Sequence, residues 1–181
     1  MKRGIITVLL STLLLGCSAP HEKEPVFQEH TSNFLDVEGT HLRMWVDEKN
    51  IEDISGHPLY ATAYEMMKEK PDLGIEDRYH LYINHLTEDL EGSPTITALL
   101  INRLEESLEG VAFTVSIFDG HQEIVSHYHV DLKSTVSSIP RDTVVPFFIQ
   151  ITDEAYQRIS ESDNLTIQID KFVTENDTNA K

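Results

Sequence analysis

From Thr95 onward, apolar residues recur at every second position, and this alternation constrains the fold more than any other feature of the chain. A period of two sends successive side chains to opposite faces of an extended backbone, so each segment buries one face and wets the other. "TITALLINRL" (Thr95–Leu104) is almost continuously apolar and reads as a buried strand. In "VAFTVSIF", Val111, Phe113, Val115 and Ile117 share one face, and Asp119-Gly120 then signals a turn. "EIVSHYHVDL" directs Ile124, Tyr128, Val130 and Leu132 toward the core. "VVPFFIQI" is a further strand in which Pro146 marks an edge or a bulge, since proline donates nothing to a ladder. Thr152-Asp153-Glu154 caps a short helix through Ile159, and "LTIQIDKFV" (Leu165–Val173) is the last strand. The apolar face of these strands needs a second layer, from helices, from an early hairpin or from the strands folding over as a sandwich.

The preceding segment supplies candidates for that layer. "FLDVEGTHLRMWV" (Phe34–Val46) carries two short apolar runs around Glu38-Gly39 and predicts a hairpin or a pair of short strands, with Trp45, the single tryptophan, as a core anchor. Pro58 suits the first turn of a helix, and Tyr60, Tyr64 and Met67 follow at helical spacing until Pro71 and Gly74 end it. Ile75, Tyr79, Tyr82, Ile83, Leu86 and Leu90 also match a helical stripe, which predicts a second helix and hence an αα-hairpin before the strands. The expected fold class is α+β.

Cys17 is the only cysteine, and it ends an apolar run. Lys2 and Arg3 precede Gly4–Leu15, which is apolar apart from Thr7, Ser11 and Thr12 and too short to span a bilayer. Leu14-Leu15-Gly16-Cys17 resembles the bacterial lipobox, although Leu15 is bulkier than the commonest residue there. That resemblance implies a cleaved signal peptide over residues 1–16 and a diacylglyceryl group on Cys17. Two acyl chains hold a protein stably where one does so marginally. The expected location is the extracytoplasmic face of the cell membrane. The exported part would have no disulfide and must rely on a packed core. Residues 17–33 read as the lipidated cysteine and a polar tether, 34–173 as one extracytoplasmic domain, and 174–181 as a disordered tail.

The formal charge is −17, and removing residues 1–16 takes away Lys2 and Arg3 but no acid, leaving −19. A surface this acidic repels polyanions, so nucleic acid is not an expected partner.

The run Ile96–Ile151 resembles SLAP-type domains, small immunoglobulin-like β modules of secreted and surface proteins of Gram-positive bacteria. The points of similarity are a strand ending near Asn102, the strand "FTVSIFDG", a strand ending in "VDL", Ile139-Pro140 before a loop, and a Pro146-Phe147 strand. The helical reading of "RYHLYINHLTEDL" resembles the segment that precedes such domains. The resemblance implies an immunoglobulin-like sheet or sandwich with an interaction role, and it carries over no catalytic residue.

Within the chain, His127 and His129 lie two apart on one strand face, and Asp131 continues that face. A His-x-His pair presents two imidazoles to one metal, and zinc suits such ligands. The alternative is a solvated strand face, where histidine is ordinary. No other cofactor is indicated. The chain contains no nucleophile elbow, phosphate-cradling glycine loop or HExxH, so no catalytic residue is assigned and no enzyme is expected. The sequence reading is a lipid-anchored, non-catalytic module that binds an envelope protein or a cell-wall component. The alternatives are a metal-binding lipoprotein using His127, His129 and Asp131, and a hydrolase with an unrecognised site. The sheet edge near Pro146 and the acidic faces are the expected contact surfaces.

Overall fold

The computed structural model describes residues 33–119, 121, 123–162 and 165–175. The expected signal segment, Cys17 and the expected tether as far as Ser32 lie outside the described residues, as does the tail from Asn176. Thr174 is buried, so packing continues one residue past the last strand.

The chain runs β1 (Phe34–Asp36), β2 (Arg43–Trp45), α1 (Pro58–Glu69), β3 (Tyr79–Glu88), β4 (Pro94–Asn102), β5 (Leu108–Glu109), β6 (Ala112–Phe118), β7 (Ile124–Asp131), β8 (Ser138–Ile139), β9 (Thr143–Gln150), α2 (Asp153–Glu161) and β10 (Thr166–Val173). A five-stranded sheet has the order β1-β2-β9-β4-β3, a three-stranded sheet the order β10-β6-β7, and β5 and β8 form a separate pair. Among the described residues, all pairs are antiparallel except β2–β9.

The two larger sheets face each other as a sandwich. Phe113 on β6 meets Phe147 on β9 edge-on with ring centroids 5.9 Å apart, and lies 5.6 Å from Phe172 on β10. Phe172 in turn stacks on Tyr79 of β3 at 4.0 Å. The other face of the larger sheet is covered by α1, which packs on β4 and β9. Both faces of β4 are therefore buried, which explains its unbroken apolar sequence.

Local chemistry sets the helices. Pro58 stands in the first turn of α1, and Leu59, Tyr60, Ala63, Met66 and Met67 are buried on one face. Thr152 caps α2, its Oγ1 accepting from the Ala155 amide at 3.2 Å. Thr152→Ala is expected to cost about 1 kcal/mol in urea unfolding.

The second predicted helix is a strand. Residues 79–88 form β3, so α1 has no helical partner in an αα-hairpin. The cause is a bulge between Ile83 and His85. Tyr79, Leu81 and Ile83 share one face of β3; the extra residue then puts Leu86 on that same face, three positions after Ile83. That spacing imitates a helical stripe, and Tyr82, on the opposite face, completed the imitation. A bulge also corrects Ile124. The register shifts between Ile117 and Phe118, so Ile124 pairs with Phe118 on the outer face and is 58% exposed. Trp45 is buried, and β1–β2 form the predicted hairpin around Gly39 at φ +81°.

The ends of β4 and β9 are tied by polar groups. Asn102 is fully buried; its Nδ2 donates to the Ile139 and Glu106 carbonyls at 2.9 Å each, and its Oδ1 accepts from the Leu104 amide at 3.0 Å. Beside it, Arg103 pairs with Glu76 and with Asp142 (3.1 Å), while Arg141 pairs with Glu105 and Glu76. These charges clamp the loops at that end of the sandwich.

Candidate functional site

Three surfaces have enough character to be candidates. The first is the outer face of the small sheet. His127 and His129 leave the same face, as their spacing implies, and Asp131 follows them; opposite on β6 stand Ser116, Thr114 and Ala112. All three β7 side chains are exposed. His127 Nδ1 lies 2.9 Å from Ser116 Oγ. Beyond β6, Gln168 and Asp170 of β10 extend the polar face, and Gln168 Nε2 donates to Asp170 Oδ1 at 2.7 Å. Among the described residues, no group of three or more His, Cys, Asp or Glu is placed to hold a metal ion. A serine beside an imidazole has the composition of a nucleophile and its base. Yet Ser116 sits mid-strand on the central strand of its sheet, where the surrounding amides are engaged in ladders and cannot receive an oxyanion. The arrangement suits hydrogen-bonded contact with a polar surface.

The second surface is a groove of about 440 Å³ on one side of the sandwich, between β7 and β9, reached by Tyr128, His129, Asp131, Thr135 and Phe148. β2 pairs with β9 only at Thr143 and Val144, so Pro146 lies on the half of β9 beyond that pairing, in keeping with the edge read from sequence.

The third surface lies on the other side, between the outermost strands β3 and β10. It is a cleft of about 300 Å³, and the described residues that line it all carry aliphatic side chains: Ile83, Leu86, Ile96, Ile117, Ile159, Leu165 and Ile167. Leu165 and Ile167 remain 40% and 39% exposed, and Tyr79, on the same face of β3 as Ile83, is 40% exposed. Sandwich sheets bury their inner faces against each other. Here the inner faces of β3 and β10 leave this cleft between them.

Comparison with family models, curated proteins and solved structures finds no significant match. Among the described residues, no helix is long and apolar enough to cross a membrane.

One contact holds the cleft end together. Arg158 on α2 donates to Asp119 Oδ2 at 2.5 Å, while Asp119 Oδ1 accepts from the His121 and Glu123 amides at 2.9 and 3.0 Å. This bonding, with Arg158 first and the two amides after it, holds the Asp119 carboxyl below the usual carboxylate range. A depressed acid stabilises the fold above its unfolded value, about 3.9, and the gain disappears as pH falls through the folded value. Asp119→Asn is therefore expected to lower the thermal midpoint at pH 7, with the difference from the parent vanishing in strong acid.

Sequence reasoning drew attention to the histidine strand and to Pro146, and missed both the cleft and the Ser116–His127 contact. The cleft combines residues from β3, β4, β6, α2 and β10, and no single stretch reveals it. The Ser116–His127 contact follows from hairpin counting only once the connection is known to run from Asp119 to Glu123 with a bulge after it.

Proposed function

We propose that this chain is a bacterial lipoprotein, anchored through Cys17 on the extracytoplasmic face of the cell membrane, whose folded part is a non-catalytic binding module for an envelope protein or a cell-wall component. The observation that carries the binding reading is the aliphatic cleft, an open apolar surface flanked by the outermost strands of two sheets. A concave apolar cleft beside the exposed side chains of Leu165 and Ile167 is the kind of surface that receives a binding partner's apolar groups. The lipobox-like end of the apolar run supports the anchor. The similarity of Ile96–Ile151 to SLAP-type domains supports reading the β part as an immunoglobulin-like interaction module.

The test has two arms in intact bacterial cells. Feeding an alkyne-tagged fatty acid should label the full chain and leave a Cys17→Ala variant unlabelled and uncleaved. A photo-crosslinking residue at position 165 should yield a discrete adduct that the same residue at position 124 does not. A label that persists in Cys17→Ala overturns the anchor. Identical adduct patterns from both positions, or none from either, overturn the cleft as the binding surface.

A further inference from the structure

We infer that the cleft receives an extended aliphatic segment of a partner protein, flanked by lysine or arginine, which adds as a fourth strand to the free edge of β10. This deepens the binding reading above and rests on it.

Along a strand, each residue turns its N–H and C=O to one neighbour, and alternate residues serve opposite sides. The Leu132 amide donates to the Val111 carbonyl, so in this register the odd-numbered residues of β6 bond β7. The even-numbered ones, Thr114, Ser116 and Phe118, therefore bond β10 at Asp170, Gln168 and Thr166. Ile167 and Ile169 then turn their backbone groups to the free side, because β10 ends its sheet among the described residues. Their side chains point inward, and Ile167 lines the cleft. An antiparallel strand bonded there would set its own alternate side chains on the same inner face, against Ile83 and Leu86.

The two edges beside the cleft differ in regularity. β3 is interrupted by its bulge between Ile83 and His85, beside the cleft, and bulges blunt an edge against pairing. The irregularity of β10 falls at its far end, where Lys171 has φ +53°, and Thr166–Asp170 keeps an even register. Only the β10 edge offers a regular ladder next to the aliphatic lining.

The two segments that wall the cleft, residues 83–96 and 159–169, contain no lysine or arginine, but do contain Glu88, Asp89, Glu91 and Glu161. Arg158, just outside, is engaged by Asp119 and Glu123. Even with Lys171 just beyond the second segment, acids outnumber free cations along these stretches, so a cationic segment is matched to them, whereas an anionic lipid or a second copy of a chain with charge −17 is opposed.

The test uses the full chain in nanodiscs of neutral lipid and a fluorescent probe peptide, acetyl-Lys-Val-Lys-Ile-Lys-Val-Lys-amide, read by anisotropy. The parent peptide should bind, and methylating the backbone nitrogens of its Val and Ile residues should weaken binding at least tenfold. Ile167→Lys in the protein should do the same, and Ile124→Lys, an exposed apolar residue on the outer face, should not. Equal affinity for the methylated and parent peptides overturns strand addition, a result that stands on the unmodified protein even if Ile167→Lys fails to fold. Peptide-free self-association abolished by Ile167→Lys also overturns it, in favour of a second copy. Either failure leaves the position-165 adduct to decide the broader binding reading.

Discussion

Replacing Asn102 by aspartate is expected to remove about 3 kcal/mol or more of stability at neutral pH. The side chain has no exposure to solvent and makes three hydrogen bonds, two of them donated to carbonyl oxygens. A carboxylate has the same shape but nothing to donate, so both carbonyls lose their partner and face a buried negative charge. The loss is a large share of the roughly 5–15 kcal/mol that holds a domain of this kind together. The pH dependence identifies the mechanism. Burial raises the folded pKa of such an aspartate above its unfolded value near 3.9, so the folded state is the better proton binder. The variant's stability should therefore fall as pH rises from about 4 and level off above the raised pKa. Asn102→Ala loses the same bonds without a charge and should show no such slope. Urea midpoints across pH 4–8 distinguish the two.

The second large effect is expected at Phe113. Its ring contacts Phe147 in the opposite sheet and Phe172 on the neighbouring strand, with 1% exposure. Phe113→Ala should cost about 3–5 kcal/mol, since the cavity opens where two stiff sheets cannot collapse into it. Phe172→Ala removes a half-buried ring and should cost less. Denaturant titrations of the two variants give the comparison, and equal losses would show that the inter-sheet contact is not the dominant one.

Much of this architecture was legible because alternation is a local signal. β4, β6, β9, β10 and the Thr152-capped helix follow from apolar spacing and turn residues alone. The errors cluster at bulges. One extra residue between Ile83 and His85 turned a strand into an apparent helix, and another near Ile124 sent a core candidate to solvent. A bulge leaves no compositional mark, because its cause is the partner strand. Asn102 was visible as a strand end, but its task of holding β8 and the following loop depends on Ile139, far along the chain. The cleft was invisible for the same reason: it exists only where five elements fail to meet.

The single parallel pairing among the described residues has a kinetic consequence. Arg43 and Met44 of β2 lie beside Thr143 and Val144 of β9, about a hundred residues later. The chain must close a very long loop before the early hairpin can dock, whereas β3–β4 and β6–β7 can zip locally. Docking of β1–β2 should be a late event in refolding, and a ribosome-fresh polypeptide would stay open until the ninth strand has emerged.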